Sequence, residues 1–205
     1  MQRRPFLTGA LVLIAGTLAA HLPAAAAADP TALISNLGSR ALEVLGKGTP
    51  ESQRAARFRD LLREDFDVPG IARFVLGRYW NTATEEQRAE FVKLFEDYVA
   101  QAYATRLAEY AGEQFKVTGS RLDGDGAIVS SQILRPAGSA PIKVDWRLTG
   151  RNGIYKISDV SVDGISMAVT QRSEFASVIQ HNGGQVQGLI AMLRQKTGTA
   201  AARSP

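Results

Sequence analysis

The chain contains no cysteine and only two histidines, His21 and His181. Disulfide staples, thiolate nucleophiles and thiolate metal sites are therefore excluded. Zinc sites and Ser-His-Asp machinery would have to rest on His181, which instead reads as a cationic cap near a helix end. No run of five or more like charges occurs, and Lys+Arg 24 against Asp+Glu 20 gives a formal charge of only +4. The sequence pI of about 9.6 thus does not mark a nucleic-acid binder. No glycine loop joins a strand to a helix as a phosphate cradle requires, because Gly124 and Gly126 fall within a hairpin signal. Asp123 and Asp125 lack the third ligand position and the closing Glu of a calcium loop, so they read as a tight turn. The longest apolar stretch, Phe6–Ala20, is short and rich in Gly and Ala, which argues against a membrane span.

That stretch does fit an export leader over residues 1–28. Arg3 and Arg4 supply the positive start, and Ala24–Ala28 offers Ala-x-Ala cleavage choices ending just before Asp29. Arg3-Arg4-Pro5-Phe6-Leu7 also fits the core of a twin-arginine signal; an ordinary Sec leader with two adjacent arginines is the alternative. Export without cysteines suits a domain large enough to be held by its core alone.

The first half of the remainder reads helical. Leu33, Leu37, Ala41 and Leu45 recur four apart. Thr49 is expected to cap the next helix, with Pro50 at its first position and Phe58, Leu61, Leu62 and Phe66 on its apolar side. Asp67-Val68-Pro69 opens a short helix that stops at Gly77. Thr84-Glu85-Glu86-Gln87 is a capping box for the longest helix, lined by Phe91, Leu94, Phe95, Tyr98, Ala102, Leu107 and Tyr110 and stopped at Gly112.

The second half reads as an antiparallel meander. Phe115–Leu122 and Ala127–Leu134 flank the hairpin signal. Ile142, Val144, Trp146 and Leu148 alternate with polar residues, and Ile154–Val162 slips its alternation at Ser158-Asp159, which predicts a bulge. Helices over Val169–His181 and Gln185–Lys196 follow, separated by Gly183-Gly184. The expectation is an α+β fold with four strands: one domain over 29–197, divided into a helical part 30–112, a sheet 114–165 and C-terminal helices 168–196, then a disordered tail over 198–205.

The wording of Tyr155–Phe175 is more specific than its pattern. It reads aromatic, Lys-Ile, one residue, Asp-Val, one residue, Val, acid, Gly, apolar, Ser, with Arg172 and Phe175 following. This closely resembles the MlaC-type (toluene-tolerance) family of periplasmic phospholipid-binding proteins, and the resemblance extends over roughly Ala32–Lys196. One departure is Tyr155, where the family usually carries Trp. The resemblance implies a curved NTF2-like sheet against a helical subdomain, with acyl chains in an apolar cavity between them and the headgroup in water. It also implies a periplasmic carrier with no cofactor. Such a carrier would be a monomer making transient contact with an inner-membrane ABC-type lipid transporter complex and an outer-membrane lipoprotein complex. A relative associated with hopanoid synthesis keeps the same fold and offers a rival ligand.

On that reading the cavity wall draws on Phe74, Tyr79, Phe95, Tyr98, Val99, Tyr103 and Leu107 from the helices. The sheet and its exit would add Val129, Ile133, Val144, Trp146, Leu148, Val160, Val162, Ile165 and Met167. Periodicity alone does not separate a lined cavity from a filled core. Arg172, early in a helix, opposes the helix dipole. It should therefore meet a carboxylate such as Asp159 or Glu174, or else a headgroup phosphate. A rival of a different class is an NTF2-like enzyme with Asp159 or Asp163 as base in an apolar cone and Tyr79, Tyr98, Tyr103 or Tyr110 as phenol. The plainer reading has Asp163 in the Asp-Gly turn and Asp159 bonded to backbone at the bulge.

Overall fold

A computed structural model describes residues 29–45, 49–107, 113–135, 139–151 and 153–201. The leader, Tyr110 and the Gly112 stop lie outside them. Helices α1 (Pro30–Leu45), α2 (Glu51–Asp65), α3 (Val68–Leu76) and α4 (Glu85–Leu107) come first, with a 3-10 turn at Gly77–Trp80. Strands β1 (Gln114–Asp123), β2 (Gly126–Leu134), β3 (Ile142–Arg151), β4 (Ile154–Val162) and β5 (Ile165–Ser166) follow, and α5 (Met167–His181) and α6 (Val186–Ala201) close the chain. The sheet is antiparallel in the order β1-β2-β3-β4-β5.

Local chemistry accounts for most boundaries. Asp67 accepts the Gly70 amide at 3.1 Å to start α3. Gln87 N–H donates to Thr84 Oγ1 at 3.2 Å while Thr84 N–H donates to Gln87 Oε1 at 3.1 Å, completing the capping box of α4. Thr49 does not cap α2: the cap position is Pro50, and the Thr49 hydroxyl donates to Glu43 O at 3.4 Å instead. The last helix outruns the expected end at Lys196 and continues through Ala201. Thr197 Oγ1 folds back onto Leu193 O at 2.9 Å, and two alanines sustain the helix. The expected disordered tail thus loses residues 198–201; 202–205 lie outside the described residues.

Among the described residues the sheet has five strands rather than four. Val162 pairs with Ile165 across Asp163 (φ 48) and Gly164 (φ 83), a tight turn with both central residues left-handed. Asp163 is the only non-glycine with positive φ among the described residues. It is held by reciprocal bonds, donating its amide to Lys143 O at 2.8 Å and accepting the Lys143 amide on Oδ1 at 3.0 Å. The expected bulge is present: Arg147 faces Asp159 and Leu148 faces Ile157, leaving Ser158 unpaired. A second irregularity falls between Val117 and Gly119. Bulges increase local twist and bend their strand.

The outer edge of β4 is covered at two points. Beyond β5, the link between α2 and α3 makes a parallel bridge from Phe66 to Ile157, with the Asp67 amide donating to Ile157 O at 2.9 Å.

Candidate functional site

The apolar interior is divided in two. One core is helical: Phe91, Phe95 and Tyr98 of α4 surround Phe175 of α5 at ring-centroid distances of 5.8, 6.2 and 6.1 Å. Leu189, Ile190 and Leu193 of α6 complete it, each fully buried. The other lies on the sheet, where Val129, Leu148 and Ile157 pack against Ile34 and Leu37 of α1 and Leu61 of α2. Phe58 and Phe66, both partly buried, belong to both cores. They mark the seam where the sheet half meets the helical half.

The residues expected in one cavity wall are distributed between these cores. Phe95, Tyr98, Val99 and Tyr79 sit in the helical one. Val129 and Leu148 sit in the sheet core with Trp146 and Val160 packed against it. Tyr103 stacks on Phe58 at 6.5 Å, at the seam. Val144 is buried, while Ile133, Val162 and Met167 are half-buried. Two residues differ from expectation. Ile165 is 61% exposed, because β5 carries it out on the hairpin beyond the covered face, and Phe74 is 42% exposed. The side chain of Leu107 lies outside the described residues. The sequence reading assigned Phe58 and Phe66 to an apolar helix side but did not place them in the site. A 3.6-residue period shows which side is apolar and not how many cores it touches.

The indole and the buried hydroxyl on the sheet side are satisfied. Trp146 Nε1 donates to Ser131 Oγ at 2.9 Å, and that buried hydroxyl donates to Val144 O at 3.1 Å. Asp159 lies where β4 meets α5 and uses both carboxylate oxygens. Oδ1 accepts the Val160 amide at 2.8 Å and the Ala168 amide at 3.1 Å, while Oδ2 accepts the Ser166 hydroxyl at 2.6 Å. Ser166 in turn caps α5 by accepting the Val169 amide at 3.1 Å. The Asp-Val and Gly-apolar-Ser portions of the family wording are therefore a staple between a strand and a helix. Asp159 and Asp163 both serve backbone, as the plainer reading held. Among the phenols, Tyr79 accepts a bond from Arg78 at 2.9 Å, which lowers its pKa.

Among the described residues two surface clefts stand out, and neither is lined by the sheet residues above. One, of about 500 Å³, lies between α1 and α2 and includes Leu33, Arg40, Glu64 and Asp65. Arg40 bridges Glu64 at 2.6 Å and also pairs with Asp65. Burial raises the Asp65 pKa against the opposing pull of Arg40. The other, of about 410 Å³, lies between α3 and α5 and includes Arg73, Phe74, Asn81 and Arg172. Arg172 does not meet the expected carboxylate. Its guanidinium sits 5.1 Å from the centroid of the Phe74 ring, Asp159 is taken by backbone and Ser166, and Glu174 accepts from Gln171 at 3.1 Å.

The model of the family described as MlaC protein matches residues 36–195. This chain belongs to the MlaC family. Over 125 residues it is 27% identical to the intermembrane phospholipid transport system binding protein MlaC of Haemophilus influenzae, covering 59% of this chain and 58% of that protein. Over 126 residues it is 29% identical to the toluene tolerance protein ttg2D of Pseudomonas putida, covering 60% and 58%. The matched stretch therefore spans well under two thirds of either relative's length. Among solved structures, the phospholipid-binding protein from Ralstonia solanacearum, determined in complex with a phospholipid, superposes with a TM-score of 0.71. That likeness covers 85% of this chain and 99% of the other at 23% identity, and so establishes a shared fold. The MlaC fold here comprises the open antiparallel sheet and the helices packed against it.

Proposed function

We propose that this chain is a periplasmic lipid carrier that holds the acyl chains of a phospholipid between its two cores. It would shuttle that lipid between an inner-membrane ABC-type transporter complex and an outer-membrane lipoprotein complex. Membership of the MlaC family across residues 36–195 carries the reading. The divided interior supports it, because two apolar cores joined through Phe58 and Phe66 offer a seam. On this reading Val129, Val144, Trp146, Leu148 and Val160 form the sheet-side wall, and Phe95, Tyr98, Val99 and Tyr103 form the helical one. The same reading assigns the half-buried Ile133, Val162 and Met167 to its rim.

The physical need for such a carrier follows from apolar hydration. Each methylene exposed to water costs about 0.8 kcal/mol, so two chains totalling about 30 methylenes cost roughly 25 kcal/mol. A lipid does not cross an aqueous compartment with that penalty. Transfer from a bilayer to a dry seam exchanges one apolar medium for another and is nearly isoenergetic. Parting the two cores would likewise expose apolar surface that the acyl chains cover again. Direction then has to come from the partners at either end.

Native mass spectrometry of the mature protein purified from the periplasm, followed by lipid extraction, tests the reading. A phospholipid mass adduct is expected, and delipidated protein should regain it from vesicles. Val144→Trp, which fills the sheet-side wall at an overpacking cost of about 1–3 kcal/mol, should remove the adduct while circular dichroism stays folded. Folded wild-type protein that neither carries lipid nor takes it up would overturn the carrier reading.

A further inference from the structure

The cleft between α3 and α5 has a chemistry that an acyl-chain carrier does not call for. Five arginines among the described residues, Arg40, Arg59, Arg63, Arg147 and Arg194, have carboxylate partners. Arg73 and Arg172, which wall this cleft, have none among the described residues. Both are exposed, but Arg172 has neighbours that restrain it: its guanidinium rests over Phe74, and a Cβ on Gly77 would stand 2.9 Å from its Nε. Gly77 also has φ 59, so the backbone there favours glycine twice over.

The neighbouring cations are engaged. Arg78 donates to Tyr79 Oη, and Arg88 Nε donates to Trp80 O at 2.8 Å. They add positive potential without competing for a ligand in the cleft. No acid lines the cleft as described, and two acids on its flanking segments are engaged: Asp67 caps α3, and Glu174 accepts from Gln171. Asn81 contributes an amide side chain at the rim.

We infer that this cleft is a binding site for a phosphate group, gripped by Arg73 and Arg172 with Asn81 beside them. A guanidinium presents a planar fork of N–H donors that matches two oxygens of a phosphate. The cation–π contact with Phe74 also restrains the Arg172 side chain before the ligand arrives, so less conformational entropy is lost on binding. A volume of about 410 Å³ admits a phosphate with a small polar substituent and not a pair of acyl chains. The site is separate from the seam and does not depend on the carrier reading. The phosphate's two candidate sources, a lipid headgroup and a free phosphate, share this chemistry and are separated by the test.

The test follows the arginine Nε–Hε resonances of nitrogen-15-labelled mature protein at constant ionic strength. Separate titrations use glycerophosphoglycerol, inorganic phosphate and acetate. Arg73 and Arg172 should shift together and saturate at millimolar concentrations with both phosphates. Arg172→Gln and Arg73→Gln should each weaken that binding at least tenfold (~10-fold corresponds to ~1.4 kcal/mol), and acetate should not saturate. Tighter binding of the diester supports a headgroup as the source, and tighter inorganic phosphate supports a free one. Absence of saturation, an equal response to acetate as an acidic protein partner would give, or no effect of either variant overturns the site. Lipid adducts that persist while the phosphate response is absent would sink this inference and leave the carrier standing.

Discussion

Asp159→Asn is the perturbation whose consequences separate a structural staple from a catalytic base. The wild-type carboxylate accepts three bonds, from Val160 N at 2.8 Å, Ala168 N at 3.1 Å and Ser166 Oγ at 2.6 Å. Asparagine keeps one carbonyl oxygen for the two amides but puts an NH2 group where Ser166 now donates. Ser166 Oγ already accepts from Val169 N, so the rearrangement competes with the α5 cap. Bonds to charged groups contribute about 1.5–3 kcal/mol each and neutral ones about 0.5–1.5. The loss of a negative charge beside the helix start adds about 0.3–1 kcal/mol. The site is part-buried, which moderates these figures, and a net loss of about 2 kcal/mol is expected. Urea denaturation checks it: with a slope of about 2 kcal/mol/M, the midpoint should fall by about 1 M at unchanged slope. Asp159→Ala, which removes every acceptor, should cost more. Lipid bound per folded molecule should match wild type in both variants. A midpoint unchanged to within about 0.5 kcal/mol, the range of an ordinary surface substitution, would refute the staple. Turnover of an added substrate that vanishes in Asp159→Asn would instead favour the enzyme rival.

Phe175→Ala removes the ring that Phe91, Phe95 and Tyr98 surround; calorimetry should register a loss of about 3–5 kcal/mol, with Phe175→Leu clearly milder. Gly164→Ala places a Cβ at φ 83 in the β4–β5 turn, so a destabilisation of about 1–2 kcal/mol is expected by urea midpoint. Asp65 is 7% exposed and burial raises its pKa above 3.8. The folded state then holds its proton more tightly than the unfolded state. As pH climbs from 3.8 toward the raised value, the unfolded carboxyl ionises first and stability drains away. Wild type should therefore lose stability relative to Asp65→Asn over that interval; a difference that grows in favour of wild type would contradict the burial argument.

The sequence determined the elements whose causes are local. Asp67 before Val68-Pro69, Thr84 with Gln87, and Asp123-Gly124-Asp125-Gly126 each satisfy or shape backbone within a few residues, so their patterns remain visible along the chain. The bulge at Ser158 was legible for the same reason, as a break in a period of two. Family membership was likewise legible in Tyr155–Phe175, because Asp159, Gly164 and Ser166 are demanded by the junction between β4 and α5. Tertiary structure alone decided the rest. Apolar periodicity marks Phe58, Phe66, Phe95, Val129 and Leu148 as inward-facing, yet inward has two destinations here, and only the packing of α1 and α2 on the sheet sends Phe95 to one core, Val129 and Leu148 to the other, and leaves Phe58 and Phe66 touching both. Arg172 is the sharpest case. Its position in a helix called for a partner, but the ring of Phe74 lies nearly a hundred residues away, on α3. Through-space contacts at that separation leave no trace in spacing, because it is the folded backbone that brings the two residues within reach.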